Sequence, residues 1–190
     1  MKKVDNKAFE ILPVRLMISL GILIIISVFF TIGISNYLIM NTETQMKSQC
    51  DQLLSQLYSL KTNGIPRNLS SPHQIEGSKR SIDFYIPDNL NFIAFGVDPS
   101  FDKNGELSSG LDENGEVICY QVKNSDKQII WLKNDIFIRE GEKKNGTWSI
   151  NENGEGFIID SIGEMTLTFE LVKDNQGEYI LIHANDNIDA

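Results

Sequence analysis

The chain has 190 residues, of which 41% are hydrophobic and 23% are charged, and these values are typical of folded rather than disordered proteins. Residues 1–40 carry four basic and two acidic side chains, whereas the other 150 residues carry 13 basic and 24 acidic ones, a net charge of −11. An acidic body of this kind repels phosphate backbones, so the composition excludes nucleic acid as an expected partner.

The segment Leu16–Met40 predicts a transmembrane helix that crosses a lipid bilayer once. Its 25 residues include no charge, and at about 1.5 Å per residue they give about 37 Å of helix, enough to cross a hydrocarbon core of about 30 Å. A cleaved signal peptide is the less favoured alternative, because its apolar region is shorter and ends in small residues. Four basic side chains lie in segment 1–15, so the positive-inside rule predicts that this segment is cytoplasmic and that the body lies outside the cell membrane.

The helix is predicted to continue beyond the membrane as an amphipathic extension at residues 41–64, ending at Asn63-Gly64 in a left-handed turn. One helix from about Pro13 to Thr62 is therefore expected. Five apolar side chains recur in the extension at spacings of four, three, four and three residues, and we call them the stripe. They are Met46, Cys50, Leu53, Leu57 and Leu60. The stripe is expected to pack on the chain's own folded domain, because two heptads are short for a coiled coil; contact with a second copy or another surface protein is the alternative.

After a linker at residues 65–80, rich in proline, serine and charge, the period of the apolar residues changes to two. Nine short β-rich runs follow in residues 81–190, separated by glycine, asparagine and aspartate, and they predict an antiparallel β-rich domain. In the last predicted hairpin, Phe169 faces one way and its neighbours Thr168 and Glu170 face the other. The predicted fold class is α+β, with one long N-terminal helix, transmembrane and then amphipathic, packed on an antiparallel β-rich domain.

Residues 98–120 contain two near-copies of one acidic phrase. An EF-hand calcium loop placed on the first copy needs a bidentate glutamate where Leu111 stands, so that motif is absent. A calcium site of irregular geometry is open to four side chains with oxygen ligands, namely Asp98, Asp102, Asn104 and Asp112. The favoured interpretation is two successive turns, because Asn-Gly recurs through the β-rich region and both residues tolerate positive φ. We therefore expect no required cofactor, with calcium as the alternative.

The sequence contains none of the common catalytic motifs, and its two histidines, His73 and His183, lie far apart. His183 follows Tyr179 and Leu181 at strand spacing, which predicts a half-buried strand residue rather than a general base. Most carboxylates fall at turns, where a solvated acid is the default. The sequence therefore predicts a protein that is not an enzyme.

Cys50 lies on the stripe and Cys119 lies in a predicted strand. A disulfide between helix and sheet is allowed in an oxidising exterior, and two buried thiols are the alternative. Asn68 and Asn145 each begin a sequon for N-glycosylation. Asn68 is the favoured acceptor because it lies in the linker.

A transmembrane helix whose second half packs on an antiparallel sheet resembles the architecture of type IV pilin-like proteins. The N-terminal KAFEILPVRLMISLGILIII is similar to archaeal membrane proteins with pilin-like leaders, and IAFGVDPSFDKNGELSSGLDENGEVICYQV is similar to single-pass membrane proteins of methanogenic archaea. The resemblance implies a pilin-like fold and, where it extends to assembly, a subunit of a surface filament. The glutamate that pilins carry near the mature N-terminus corresponds to Glu10 only for a cut between Asp5 and Asn6, so the resemblance concerns architecture more than processing.

Three hypotheses for function follow from these features. The first is a membrane-anchored surface protein whose extracytoplasmic domain has a structural or interaction role. The second is a pilin-like subunit of an archaeal surface filament, in which the helix packs against copies of itself. The third is an extracytoplasmic ligand-binding receptor or enzyme, which requires a pocket with converging polar groups.

Overall fold

A computed structural model of the chain describes residues 6–71, 77–101, 107–110, 115–133, 135–144, 147–151 and 156–184. The chain forms two compact units, Met1–Asn41 and Thr42–Ala190, and the second unit is called the head. The described part of the first unit is helical, and the head contains the second part of the same helix and all of the described strands.

Helix α1 runs from Asn6 to Asn63 and is the one helix in the described residues that is long and apolar enough to span a membrane. The large apolar side chains from Val14 to Leu38 are 45–74% exposed. The hydroxyls of Ser19, Ser27 and Thr31 each donate to the carbonyl oxygen four residues earlier, at 2.8–2.9 Å. These polar groups are thus satisfied within the helix.

The start of α1 differs from the prediction in position, and its end differs in backbone conformation. The helix begins at Asn6, so Pro13 lies inside it and leaves one backbone hydrogen bond of the helix unformed. At the other end, Gly64 does not adopt the predicted left-handed conformation. Its N–H donates to the Leu60 carbonyl oxygen at 2.9 Å, and a Cβ at Gly64 would lie 2.3 Å from that oxygen. Glycine is therefore required by the close approach and not by φ.

The described residues form twelve strands, nine of which correspond to the predicted β-rich runs. The strands are β1 (Arg67–Asn68), β2 (Lys79–Ile86), β3 (Leu90–Phe95), β4 (Asp98–Phe101), β5 (Leu107–Gly110), β6 (Val117–Val122), β7 (Gln128–Trp131), β8 (Ile138–Lys144), β9 (Thr147–Ile150), β10 (Phe157–Ile159), β11 (Gly163–Lys173) and β12 (Glu178–Ala184). The short strands β1, β4 and β5 were not predicted.

The larger sheet has the order β1-β11-β12-β8-β9, and β2 also pairs with β11. β1 is parallel to β11 and β12 is parallel to β8, whereas the other pairs of this sheet are antiparallel. The predicted antiparallel pairing is therefore confirmed for most strand pairs, and the two parallel pairs make the larger sheet mixed. Alternation of apolar and polar residues indicates which face a strand buries, but it does not specify the neighbouring strand or its direction.

The smaller sheet has the order β10-β3-β6-β7 and is antiparallel throughout, and β4 and β5 form a separate antiparallel hairpin. The core of the head brings together both sheets and the stripe of α1. The rings of Phe84, Phe95 and Phe169 meet edge to face with centroids 6.2 Å apart. The five stripe residues are 0–2% exposed, which confirms that the stripe packs on the chain's own domain.

Two glycines with positive φ, Gly96 (74°) and Gly115 (87°), flank Ile138 at the start of β8. The Gly115 carbonyl oxygen accepts a hydrogen bond from Ile138 N at 2.8 Å. A Cβ at Gly96 or Gly115 would lie 2.3 or 2.6 Å from the Ile138 carbonyl oxygen. Gly115 belongs to the Asn114-Gly115 pair, for which the sequence predicts a positive φ, and the φ of Gly115 confirms this. The close approach of Ile138 is a second reason for glycine at this position.

Candidate functional site

Polar side chains of α1 join the helix to both sheets of the head. The Gln49 amide donates to the Tyr85 carbonyl oxygen at 3.1 Å and accepts from Tyr85 N at 3.0 Å, so it occupies part of the edge of β2 that faces away from β11. The Tyr58 hydroxyl accepts from Lys133 N, just beyond β7, at 3.2 Å. The five side chains of the stripe are 0–2% exposed, so the head covers them.

The face of the larger sheet turned away from Phe169 holds a cluster of buried polar side chains, which we call the polar face. Glu170 is 1% exposed and His183 is 5% exposed, so this face is covered as well as the core face. The Glu170 carboxylate accepts from Arg67 Nε at 2.7 Å, from Arg67 Nη2 at 3.0 Å and from Gly77 N at 3.2 Å. This bidentate ion pair fastens the segment before β2 to the centre of β11.

Trp148 connects the ion pair to His183. Arg67 Nη2 also donates to the Trp148 carbonyl oxygen at 2.8 Å. The Trp148 ring stacks on the His183 imidazole with centroids 3.9 Å apart and an interplanar angle of 11°. His183 lies on β12, which confirms the prediction of a strand residue, although it is more deeply buried than expected.

The cluster of Arg67, Glu170 and Trp148 was missed because its members are distant in sequence. Arg67 and Glu170 are 103 residues apart, and Arg67 stands in the segment predicted to be a linker. The one local signal is a glutamate between Phe169 and Leu171, at the centre of an otherwise apolar part of β11.

Asp98 is the only one of the four calcium candidates that falls in the described residues. It lies on β4, where its carboxylate forms an ion pair with Lys127 and accepts from the Cys119 thiol at 3.7 Å. The other three candidates, Asp102, Asn104 and Asp112, lie outside the described residues. β4 and β5 pair in antiparallel fashion. Within the described part of the chain, no three His, Cys, Asp or Glu side chains converge as metal ligands.

Cys50 and Cys119 are both buried and do not form the disulfide considered from the sequence. Burial, and after it the Cys50 thiol, raise the pKa of Tyr120, the neighbour of Cys119 on β6, to about 12. Adjacent residues of a strand point to opposite faces, and Cys119 accordingly packs with Ala94 on the other face of the sheet. Burial, and after it the Asp51 carboxylate, raise the pKa of the Cys50 thiol to about 12.

Of the two sequon asparagines, Asn68 lies in the described residues. Asn68 lies on β1, and its side-chain oxygen accepts from Ser70 N at 3.0 Å. This hydrogen bond closes a local turn between Asn68 and Ser70, of the kind that asparagine side chains commonly form. Asn145 lies outside the described residues.

The outer edge of the smaller sheet is the candidate interaction surface. Among the described strands, β7 is the last of this sheet and pairs with β6 alone. Its side chains Ile129 and Trp131 are 40% and 58% exposed. Sheet edges tend to pair with other chains, and proteins usually protect them with charge, proline or cover. We call the backbone of β7 with Ile129 and Trp131 the β7 edge.

No family model, curated protein or solved structure matches the chain.

Proposed function

We propose that the protein is anchored in a membrane by one pass of α1, with its amino end in the cytoplasm and the head outside. In this proposal the head has a structural or interaction role and no catalytic one. The observation that carries the proposal is the change of environment along one helix. The large apolar side chains from Val14 to Leu38 are exposed, whereas the stripe from Met46 to Leu60 is buried in the head. Exposed apolar surface of this extent is unfavourable in water and favourable in lipid.

The second part of α1 is a component of the head and not a detachable linker. Leu53, Leu57 and Leu60 are 0–2% exposed. Burial of a leucine side chain contributes about 1.5–3 kcal/mol, so these three contribute about 5–9 kcal/mol. Because whole domains are stable by only about 5–15 kcal/mol, the head depends on the helix that also provides the anchor.

The polar face supports a non-catalytic role. Both carboxylate oxygens of Glu170 accept hydrogen bonds, and the Arg67 guanidinium also binds the Trp148 carbonyl oxygen. A general acid or base has to reach the proton of a bound substrate, whereas Glu170 is 1% exposed. We infer that the ion pair stabilises the fold of the segment before β2.

Extraction of the full-length chain from cell membranes tests the anchor. The chain is expected to stay in the membrane after alkaline carbonate washing and to leave it in detergent. Replacing Ile25 and Phe29 with lysine is expected to release it, because each lysine at the centre of a span costs about 2.5–3.5 kcal/mol. A matched variant with lysine at the exposed helix positions Gln52 and Gln56 is expected to stay bound. A wild-type chain that the carbonate wash releases would contradict the proposal.

Protease added to intact cells tests the orientation. The head is expected to be digested, while a tag on the amino end stays intact until the membrane is opened with detergent. A head that is protected in intact cells and becomes sensitive only after lysis would show the opposite orientation.

A pilin-like subunit is the second candidate, because α1 exposes apolar side chains on all sides from Val14 to Leu38 and is suited there to packing against copies of itself. If copies of α1 pack together, the variant Ile25→Cys is expected to form cross-links between neighbouring chains in native membranes. Cys50 and Cys119 are buried and provide an unreactive background. Cross-linking no greater than that of wild type would argue against this candidate.

A further inference from the structure

Among the described residues, the strand β7 has a neighbouring strand on one side only. Leu132 N donates to the Glu116 carbonyl oxygen at 2.7 Å, so the backbone groups of Leu132 face β6. Directions alternate along a strand, and the N–H and C=O groups of Ile129 and Trp131 therefore point away from β6. Lys133 N, which points the same way, donates to the Tyr58 hydroxyl and confirms this assignment.

Two edge strands of the head, β2 and β7, differ in their protection. On β2, the Gln49 amide binds both backbone groups of Tyr85 and so takes the place of a neighbouring strand. On β7, the alternate positions Ile129 and Trp131 carry apolar side chains that are 40% and 58% exposed. An open edge with exposed apolar side chains on one face has the features that strand addition requires, namely main-chain groups for affinity and side chains for selectivity.

Opposite charges stand at the two ends of the β7 edge. Asp126 precedes the strand and Lys133 follows it, and both are exposed. Lys127 does not cancel the charge of Asp126, because it forms an ion pair with Asp98. At about 3.3 Å per residue the two charges are about 23 Å apart along the strand, so each can be matched separately by a bound segment.

We propose that the β7 edge binds an extended peptide segment of a partner protein as an added antiparallel strand. Its residues opposite Ile129 and Trp131 are apolar and exchange both main-chain hydrogen bonds with them. An acidic side chain near its amino end lies beside Lys133, and a basic one near its carboxyl end lies beside Asp126. This inference rests on the proposed interaction role of the head and specifies the chemistry of the partner.

The test measures the binding of synthetic peptides to the full-length chain in mild detergent. The probe alternates threonine and valine, with glutamate at its amino end and lysine at its carboxyl end, and carries a fluorophore for anisotropy. N-methylation of the two valines removes the donors that face β7 and is expected to weaken binding at least about ten-fold. N-methylation of the threonines between them, whose N–H groups point away, is the matched control and is expected to have little effect. Exchanging the two terminal charges is expected to weaken binding several-fold.

Two variants locate the site. Ile129→Pro removes an N–H that points away from β6, so it is compatible with an edge strand and is expected to abolish binding without lowering the melting temperature. Trp131→Thr keeps strand propensity, removes the apolar contact and is expected to weaken binding, which keeps the test valid where the proline variant fails to fold.

Three results would overturn the inference: no saturable binding, binding that ignores valine methylation, or binding that both variants retain. Concentration-dependent dimers that Ile129→Pro abolishes would also overturn it, because a second copy would then be the occupant. Membrane extraction tests the anchor independently. A negative result in either experiment therefore does not change the interpretation of the other.

Discussion

Glu170→Gln tests the energetic role of the polar face. The amide keeps the shape of the side chain but removes the negative charge opposite the Arg67 guanidinium, whose side chain is 10% exposed. Removing one partner of a buried ion pair costs about 3–5 kcal/mol, because the other charge stays buried without compensation. For a domain of this size each kcal/mol lowers the melting temperature by about 2–4 °C, so a decrease of about 6–20 °C is expected.

Glu178→Gln is the matched control for this substitution. Glu178 lies on β12, the neighbour of β11, and forms an ion pair with Lys61 at 2.8 Å while its side chain is 42% exposed. Exposed pairs contribute about 0–1 kcal/mol, so the same chemical change is expected to have little effect there. Replacing Arg67 with Met and Glu170 with Leu together removes both charges and is expected to recover most of the stability that Glu170→Gln loses.

The assay is urea unfolding of the full-length chain in detergent, followed by tryptophan fluorescence. Trp148 is a suitable probe because its carbonyl oxygen accepts from Arg67 and its ring stacks on His183. A free energy of unfolding for Glu170→Gln within about 1 kcal/mol of wild type, or equal to that of Glu178→Gln, would refute the assignment of the ion pair as a structural clamp.

Three further perturbations test the packing of the head. Gln49→Ala removes two hydrogen bonds to β2 and is expected to lower the free energy of unfolding by about 1–3 kcal/mol, whereas Gln52→Ala, at an exposed position of the same helix, is expected to change it by less than about 0.5 kcal/mol. Gly115→Ala forces a Cβ to within 2.6 Å of a carbonyl oxygen at a φ of 87°, so a loss of more than about 1 kcal/mol is expected in urea unfolding; an unchanged midpoint would contradict the close approach. The pKa of Cys50, raised from 9.0 to about 12, means that the unfolded chain loses this proton before the folded head does. Stability is therefore unaffected by this thiol below pH 9 and falls by up to about 1.4 kcal/mol per pH unit between pH 9 and 12. Unfolding at pH 8 and pH 10.5 is expected to show a smaller decrease for Cys50→Ala than for wild type, and equal decreases would count against burial of the thiol.

The helix, the stripe and most strands could be predicted because each depends on residues that are close in sequence. The spacing from Met46 to Leu60 determines which face of the helix is apolar, whatever covers it. The alternation of Phe84 and Ile86 likewise anticipated the buried positions of β2. The end of α1 at Gly64 was predicted at the correct residue for the wrong reason, since local sequence indicates a glycine but not whether φ or space requires it.

The remaining features depend on residues that are distant in sequence. Nothing in the local sequence indicates that β12 lies parallel to β8, or that Arg67 meets Glu170 across the sheet. The cysteines show the limit of alternation most clearly. Every residue from Val117 to Tyr120 is buried, because the smaller sheet is covered on both faces. In such a sheet an apolar strand residue has no preferred side, so an inward position of Cys119 does not imply contact with α1.

The order of the chain also determines when the stripe becomes covered. Lys61 meets Glu178, 117 residues later in the chain, and at about 5–20 residues per second that stretch takes about 6–23 s to synthesise. During this interval the stripe has already been made, whereas β11 and β12 at the centre of the larger sheet have not. The stripe is then not yet covered by these strands, and a more stable finished head does not shorten the delay. Premature termination or slow translation before β11 therefore prolongs the exposure of apolar surface that favours aggregation.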